Sequence, residues 1–83
     1  MEPKLGMGED AQNVLKTLFR MCRDTRMHQQ NVSELARQIP LDFAVTKRIV
    51  AELERKDYVM TLSFGQKVTF TDAGLVVTQR LIH

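Results

Sequence analysis

Between Phe43 and Lys56 the chain sets Lys47, Arg48 and Arg55 among the alanines Ala44 and Ala51, and the chemistry open to such a set is gripping a polyanion. At about 100° per residue, Val45, Thr46, Ile49, Val50 and Leu53 share one arc of a helix, while the cations and alanines share the opposite arc. Small side chains there let a helix backbone approach a groove wall, and Lys47 and Arg48 project past it. The plainer reading is a solvated helix surface, with Glu52 and Lys56 as an ordinary i,i+4 pair.

The other reactive side chains point to less. Cys22 has Arg23 and Arg26 nearby, which favours a thiolate and a redox role. It also falls on a buried stripe with Leu15, Leu18 and Phe19, where a cysteine serves as core packing. Two histidines, His28 and His83, have no thiol or carboxylate at ligand spacing, so neither a structural zinc nor a sensory metal is expected. Met21, Met27 and Met60 read as gap-fillers in a core. There is no glycine-rich phosphate loop and no nucleophile with a base at a recognisable spacing, so no enzyme and no cofactor are expected.

The chain has 83 residues, a single Cys and a net charge of +2. That is one domain without an internal disulfide, burying about 60 to 65% of its unfolded surface, so a partner chain could contribute to stability. The charge is unevenly spread. Met1 to Asn13 carries one cation and three anions, Val14 to Arg48 seven cations and three anions, and Ile49 to His83 four of each. No apolar run approaches a membrane span and the N-terminus has no signal-peptide pattern, so the expected compartment is the cytoplasm.

The elements that must position these residues follow from periodicity. Residues 1–8, with Pro3, Gly6 and Gly8, read as a flexible arm, and 9–83 as a single domain. Ala11, Val14, Leu15, Leu18, Phe19 and Cys22 place a first helix from Glu9 onward, with acids at its start and Arg20 and Arg23 near its end, as the helix dipole favours. Asn31-Val32-Ser33-Glu34 is a capping box for a second helix, which Pro40 ends near Ile39. Asp42 is an N-cap for the third helix, and two helices joined so tightly must cross steeply, as in a helix-turn-helix. Tyr58 to Leu62 and Val68 to Phe70 form a β-hairpin around Ser63 to Lys67. Gln29 and Gln30 add at most a minimal third strand. Thr71-Asp72 caps a last helix over Ala73 to Ile82, whose apolar residues call for the hairpin or a second chain as cover.

This order, together with Leu35-Ala36-Arg37-Gln38-Ile39-Pro40-Leu41-Asp42 through Lys47 to Val59, resembles the core of bacterial and archaeal winged helix-turn-helix transcription regulators. Phe70-Thr71-Asp72-Ala73-Gly74 is similar to the LTxxG stretch that follows the wing in MarR-type members. The resemblance covers roughly Val32 to Leu81 and implies an α+β winged helix with a three-helix core, a hairpin wing and a C-terminal helix. Two departures stand out. Pro40 replaces the usual turn glycine and is expected to exclude a positive φ. At the wing, where an arginine is frequent, the charge is Lys67 alone.

The resemblance further implies that the third helix reads the major groove of double-stranded DNA, with Arg48 as a bidentate guanine contact and Phe43, Ala44, Lys47 and Ala51 around it. Ser33, Arg37, Gln66 and Lys67 would then position the domain on phosphates. The partners expected are DNA and a second copy of the chain. The alternative is a module that docks on another protein through the apolar last helix or the hairpin with Phe64.

Overall fold

The computed structural model describes residues 8–82. Residues 1–7, nearly all of the expected arm, and His83 lie outside the described residues. The elements run α1 (Glu9–Thr25), β1 (Gln30–Asn31), α2 (Val32–Gln38), α3 (Phe43–Arg55), β2 (Val59–Leu62), β3 (Lys67–Phe70) and α4 (Asp72–Ile82). Gly8 is the N-cap of α1, its carbonyl taking the Gln12 amide at 3.1 Å.

α1 is the spine of the domain. Val14, Leu15 and Leu18 are fully buried, and Met21 joins them. They meet Val32 and Leu35 of α2, Val50 and Leu53 of α3, Val59 and Val68 of the sheet and Val77 of α4 in one cluster. Phe19 packs edge-on to Phe70, with ring centroids 6.4 Å apart. Of the expected gap-filling methionines only Met21 is core. Met27 and Met60 are 61% and 48% exposed, because one follows the end of α1 and the other lies on a strand whose alternate residue, Val59, takes the inward position.

The sheet is antiparallel with order β1-β3-β2. The two-residue strand β1 pairs Gln30 with Val68 and Asn31 with Lys67. This pairing displaces the expected capping box: Asn31 makes no side-chain cap, and the first amide of α2, Val32 N–H, donates across to the wing carbonyl of Gln66 at 2.9 Å. Glu34 bonds instead with Arg37 at 3.1 Å and Gln38 at 3.2 Å.

α2 ends through Leu41 N–H donating to Ala36 O at 3.0 Å, the closure that usually encloses a glycine. Pro40 occupies that position at φ 27, so the expectation of a negative φ is not met. The bonds Ile39 N–H to Leu35 O and Leu41 N–H to Ala36 O hold it from both sides. Lacking an N–H, Pro40 cannot add the companion bond. α3 ends with both bonds in place: Asp57 N–H donates to Glu54 O at 2.9 Å and Tyr58 N–H to Leu53 O at 3.0 Å, with Asp57 left-handed at φ 65.

That second closure seats α4. Thr71 donates its hydroxyl to Asp57 O at 2.6 Å and its amide to Tyr58 O at 3.1 Å, while its Oγ1 accepts the Gly74 amide at 3.0 Å. Thr71 is therefore the cap, and Asp72 begins the helix. Gly74 lies against the Tyr58 backbone: a Cβ there would land on the Tyr58 carbonyl, 2.7 Å from its carbon.

Candidate nucleic-acid interface

α3 turns Thr46, Val50 and Leu53 inward, each 3% exposed or less. Thr46 satisfies its buried hydroxyl on Asp42 O at 3.0 Å. The outer face carries Phe43, Ala44, Lys47, Arg48, Ala51 and Arg55, all exposed. The helical phase read from the sequence is therefore the phase of the folded helix.

The charges on this face differ in how they are held. Arg48 has no ion pair or hydrogen bond among the described residues, leaving its whole guanidinium available. The Lys47 ammonium lies 5.5 Å from the centre of the Phe43 ring, a cation–π contact that leans the side chain toward the N-terminal end of α3. Arg55 pairs with Glu52 at 3.8 Å, so Glu52 is bound three residues on rather than to the expected Lys56 four residues on: Lys56 has left the helix as its C-cap. Arg37 is held by Glu34, though its side chain is still largely exposed.

Two hollows line the space between the helix-turn-helix and the hairpin. One is bounded by Asn31, Ser33, Phe43 and Gln66, and brings together three residues expected to face a polyanion. The other is bounded by Lys47 and Ala51 of α3, Val32, Glu54, Thr61 and the wing tip, Phe64 and Gly65. Lys67 joins neither. It borders a separate hollow with Arg26, Met27, His28 and Gln29, which makes it part of a second basic group on the α1–β1 connection.

Glu54 was not legible as part of this region. Its carboxylate accepts the Thr61 amide at 3.2 Å and the Thr61 hydroxyl at 3.0 Å, tying the wing to α3. An acid on the flank of a basic helix gives no such signal in sequence, because its partner belongs to another element. Phe64, named from the sequence only as a docking residue for another protein, is completely exposed at the apex of the hairpin and borders the same hollow as Lys47.

Cys22 is half-buried, with its Sγ 3.6 Å from His28 O. Burial pushes its thiol up, and a hydrogen bond with Gln30 opposes the shift without cancelling it. A raised thiol is the reverse of what a redox-sensing thiolate needs. Among the described residues no three His, Cys, Asp or Glu side chains gather to hold a metal ion, and no helix is long and apolar enough to cross a membrane.

The chain superposes on the crystal structure of the reduced form of MarR from E. coli with a TM-score of 0.78, over 94% of its own length. The fold is the MarR winged helix. Sequence identity is 18%, so the likeness is one of architecture, and the chain spans 53% of that MarR chain. No protein-family model matches the sequence, and no curated protein does. In the MarR-type frame, α2 and α3 are the helix-turn-helix and β2–β3 the wing, as the motif after Phe70 suggested.

Proposed function

We propose that this MarR-type winged helix is a cytoplasmic transcription regulator that binds double-stranded DNA as a homodimer, with α3 in the major groove. The observation that carries the reading is the outer face of α3, where the unpaired Arg48 and the Phe43-braced Lys47 stand beside the exposed Ala44 and Ala51. Arg48 can present two parallel donors to a guanine edge, worth about 1 to 3 kcal/mol of discrimination. Lys47 is the phosphate or base contact nearest the wing. Ser33 and Gln66, at the rim of the hollow with Phe43, serve the backbone on that side. Arg37 and Lys67 act at longer range, the first sharing its charge with Glu34 and the second grouped with Arg26.

A single module reads few base pairs, and a second copy adds a half-site about one helical turn away. The exposed Leu75, Val76 and Ile82 of α4 favour association through that helix, either with another copy or, in the alternative reading, with a different protein. Light scattering separates a monomer from a dimer.

The deciding experiment is anisotropy titration of a labelled duplex at several salt concentrations. Affinity should fall steeply with salt by counterion release. The Lys47→Ala/Arg48→Ala variant should bind more weakly with a salt slope lower by roughly 1 to 2. Absence of binding at low salt, or an unchanged slope in the double variant, refutes the reading.

A further inference from the structure

We propose that Phe64 is a wedge that enters the minor groove beside the α3 site and parts a base step, so that the wing contributes by unstacking and bending rather than by charge; this rests on the DNA reading above. Phe64 has a relative exposure of 104%, and its ring belongs to no part of the core cluster. Nothing in the folding of the hairpin calls for it. Ser63 and Phe64 both stand at positive φ, 54 and 59, in a turn closed by Gly65 N–H to Leu62 O at 3.1 Å. Asn and Gly occupy such positions with little strain, whereas a bulky aromatic is disfavoured there. A hairpin that kept its shape for stability alone would hold neither a phenylalanine at this position nor its ring in water.

The surroundings fit a nucleic-acid partner. The tip and its flanks, Ser63, Gly65, Gln66 and Lys67, carry no carboxylate. Across the hollow stand Lys47 and Ala51, and the one acid there, Glu54, is turned into the hydrogen bonds with Thr61. The hairpin is also braced where a wedge must push. Glu54 holds it to α3, and the Val32 amide holds Gln66 to α2. Phe64 and Gly65 border the same hollow as Lys47 and Ala51, so a duplex that takes α3 in its major groove brings the adjoining minor groove toward the hairpin tip. Apolar side chains inserted at a base step act by partly unstacking it and kinking the duplex toward the major groove.

The test uses the whole chain with a fluorescein-labelled duplex of roughly 30 base pairs containing flexible TA steps, and the same duplex with 2-aminopurine at one such step. Wild-type protein should bind and raise the 2-aminopurine fluorescence as the base unstacks. Phe64→Ala should bind roughly ten-fold more weakly, within the range that loss of one base–aromatic contact gives, and lose the fluorescence rise. Its salt slope should match the wild type, since no charge is removed. Phe64→Leu, still an apolar wedge, should keep most of both signals. Thermal melting of each variant checks the fold, which an exposed tip residue does not carry. If wild type binds and Phe64→Ala matches it in affinity and fluorescence, the wedge is refuted and the DNA reading stands. If wild type fails to bind the duplex at low salt, both are refuted. A fluorescence rise that survives in Phe64→Ala also refutes the wedge, because another group would then be parting the step.

Discussion

Gly74→Ala is the substitution for which intrinsic preference and packing make opposite forecasts. In an open helix the change is favourable by about 1 kcal/mol, since alanine loses less backbone freedom than glycine. Here the new Cβ would land on the Tyr58 carbonyl, 2.7 Å from its carbon and 3.1 Å from Tyr58 Cα. Neither neighbour is a flexible side chain. Tyr58 is pinned from the other side by its own amide bonding to Leu53 O. To restore ordinary separations α4 must back away by roughly 1 Å or more. That movement strains both Thr71 bonds to the Asp57 and Tyr58 carbonyls and draws Val77 from the core. Overpacking of this kind costs about 1 to 3 kcal/mol, and weakening two hydrogen bonds about 1 kcal/mol each. Subtracting the helical gain leaves a net loss of about 2 to 4 kcal/mol, which in a domain of this size lowers Tm by roughly 10 to 25 °C. Circular dichroism melts and urea titrations of the variant against wild type measure it. Val76→Ala, on the same helix but half-exposed, is the control and should cost less than about 1 kcal/mol. A Gly74→Ala variant as stable as wild type, or more so, would show that the close approach of α4 to Tyr58 is not a constraint on the fold.

Further expectations bear on the same junction and on the thiol. Thr71→Val removes the hydroxyl that both accepts the Gly74 amide and donates to Asp57, and should cost about 1 to 2 kcal/mol in urea denaturation, whereas Thr71→Ser should recover most of it. Because burial raises the Cys22 thiol above its ordinary value, the folded state disfavours the thiolate more than the unfolded state does. The sign follows: stability is unaffected below the ordinary thiol value, declines as pH rises past it, and reaches its full loss above the raised folded value. Melting temperatures of wild type and Cys22→Ala followed across alkaline pH should diverge in that direction, and a parallel course would count against the burial. Alkylation of Cys22 in the folded protein should likewise need a higher pH than alkylation in urea.

The parts of the molecule legible in sequence are those set by neighbours within one or two turns. The apolar arc of α3 and its cationic opposite face follow from spacing alone, and Thr71 is recognisable as a cap because its acceptor role is local. What escaped depends on pairing across the chain. Asn31 has the sequence of a capping box, yet β1 joins β3, the Asn31 side chain makes no cap, and the wing takes the Val32 amide, one that the box would not have served. Lys67 looked like the cation of the wing, but the hairpin register that sends Val68 inward leaves Lys67 beside Arg26 and His28. Gly74 could be matched to a motif without its reason being visible, since the reason is a carbonyl 16 residues earlier. Glu54 likewise acquires its partner only once the hairpin folds beside α3, and Phe64, legible as a docking residue, gains its neighbour Lys47 only there.

The bond from Val32 to Gln66 has a consequence for how the domain can be observed. The first amides of a helix have no acceptor within it, and this one finds its acceptor on the hairpin. Its exchange with solvent deuterium therefore requires that the hairpin part from α2, whatever the state of the helix itself. A single backbone hydrogen, far from the wing tip in sequence, thus acts as a clock for the wing's departure. Its slowing in the presence of DNA would register a wing held in place even where no wing residue touches a base.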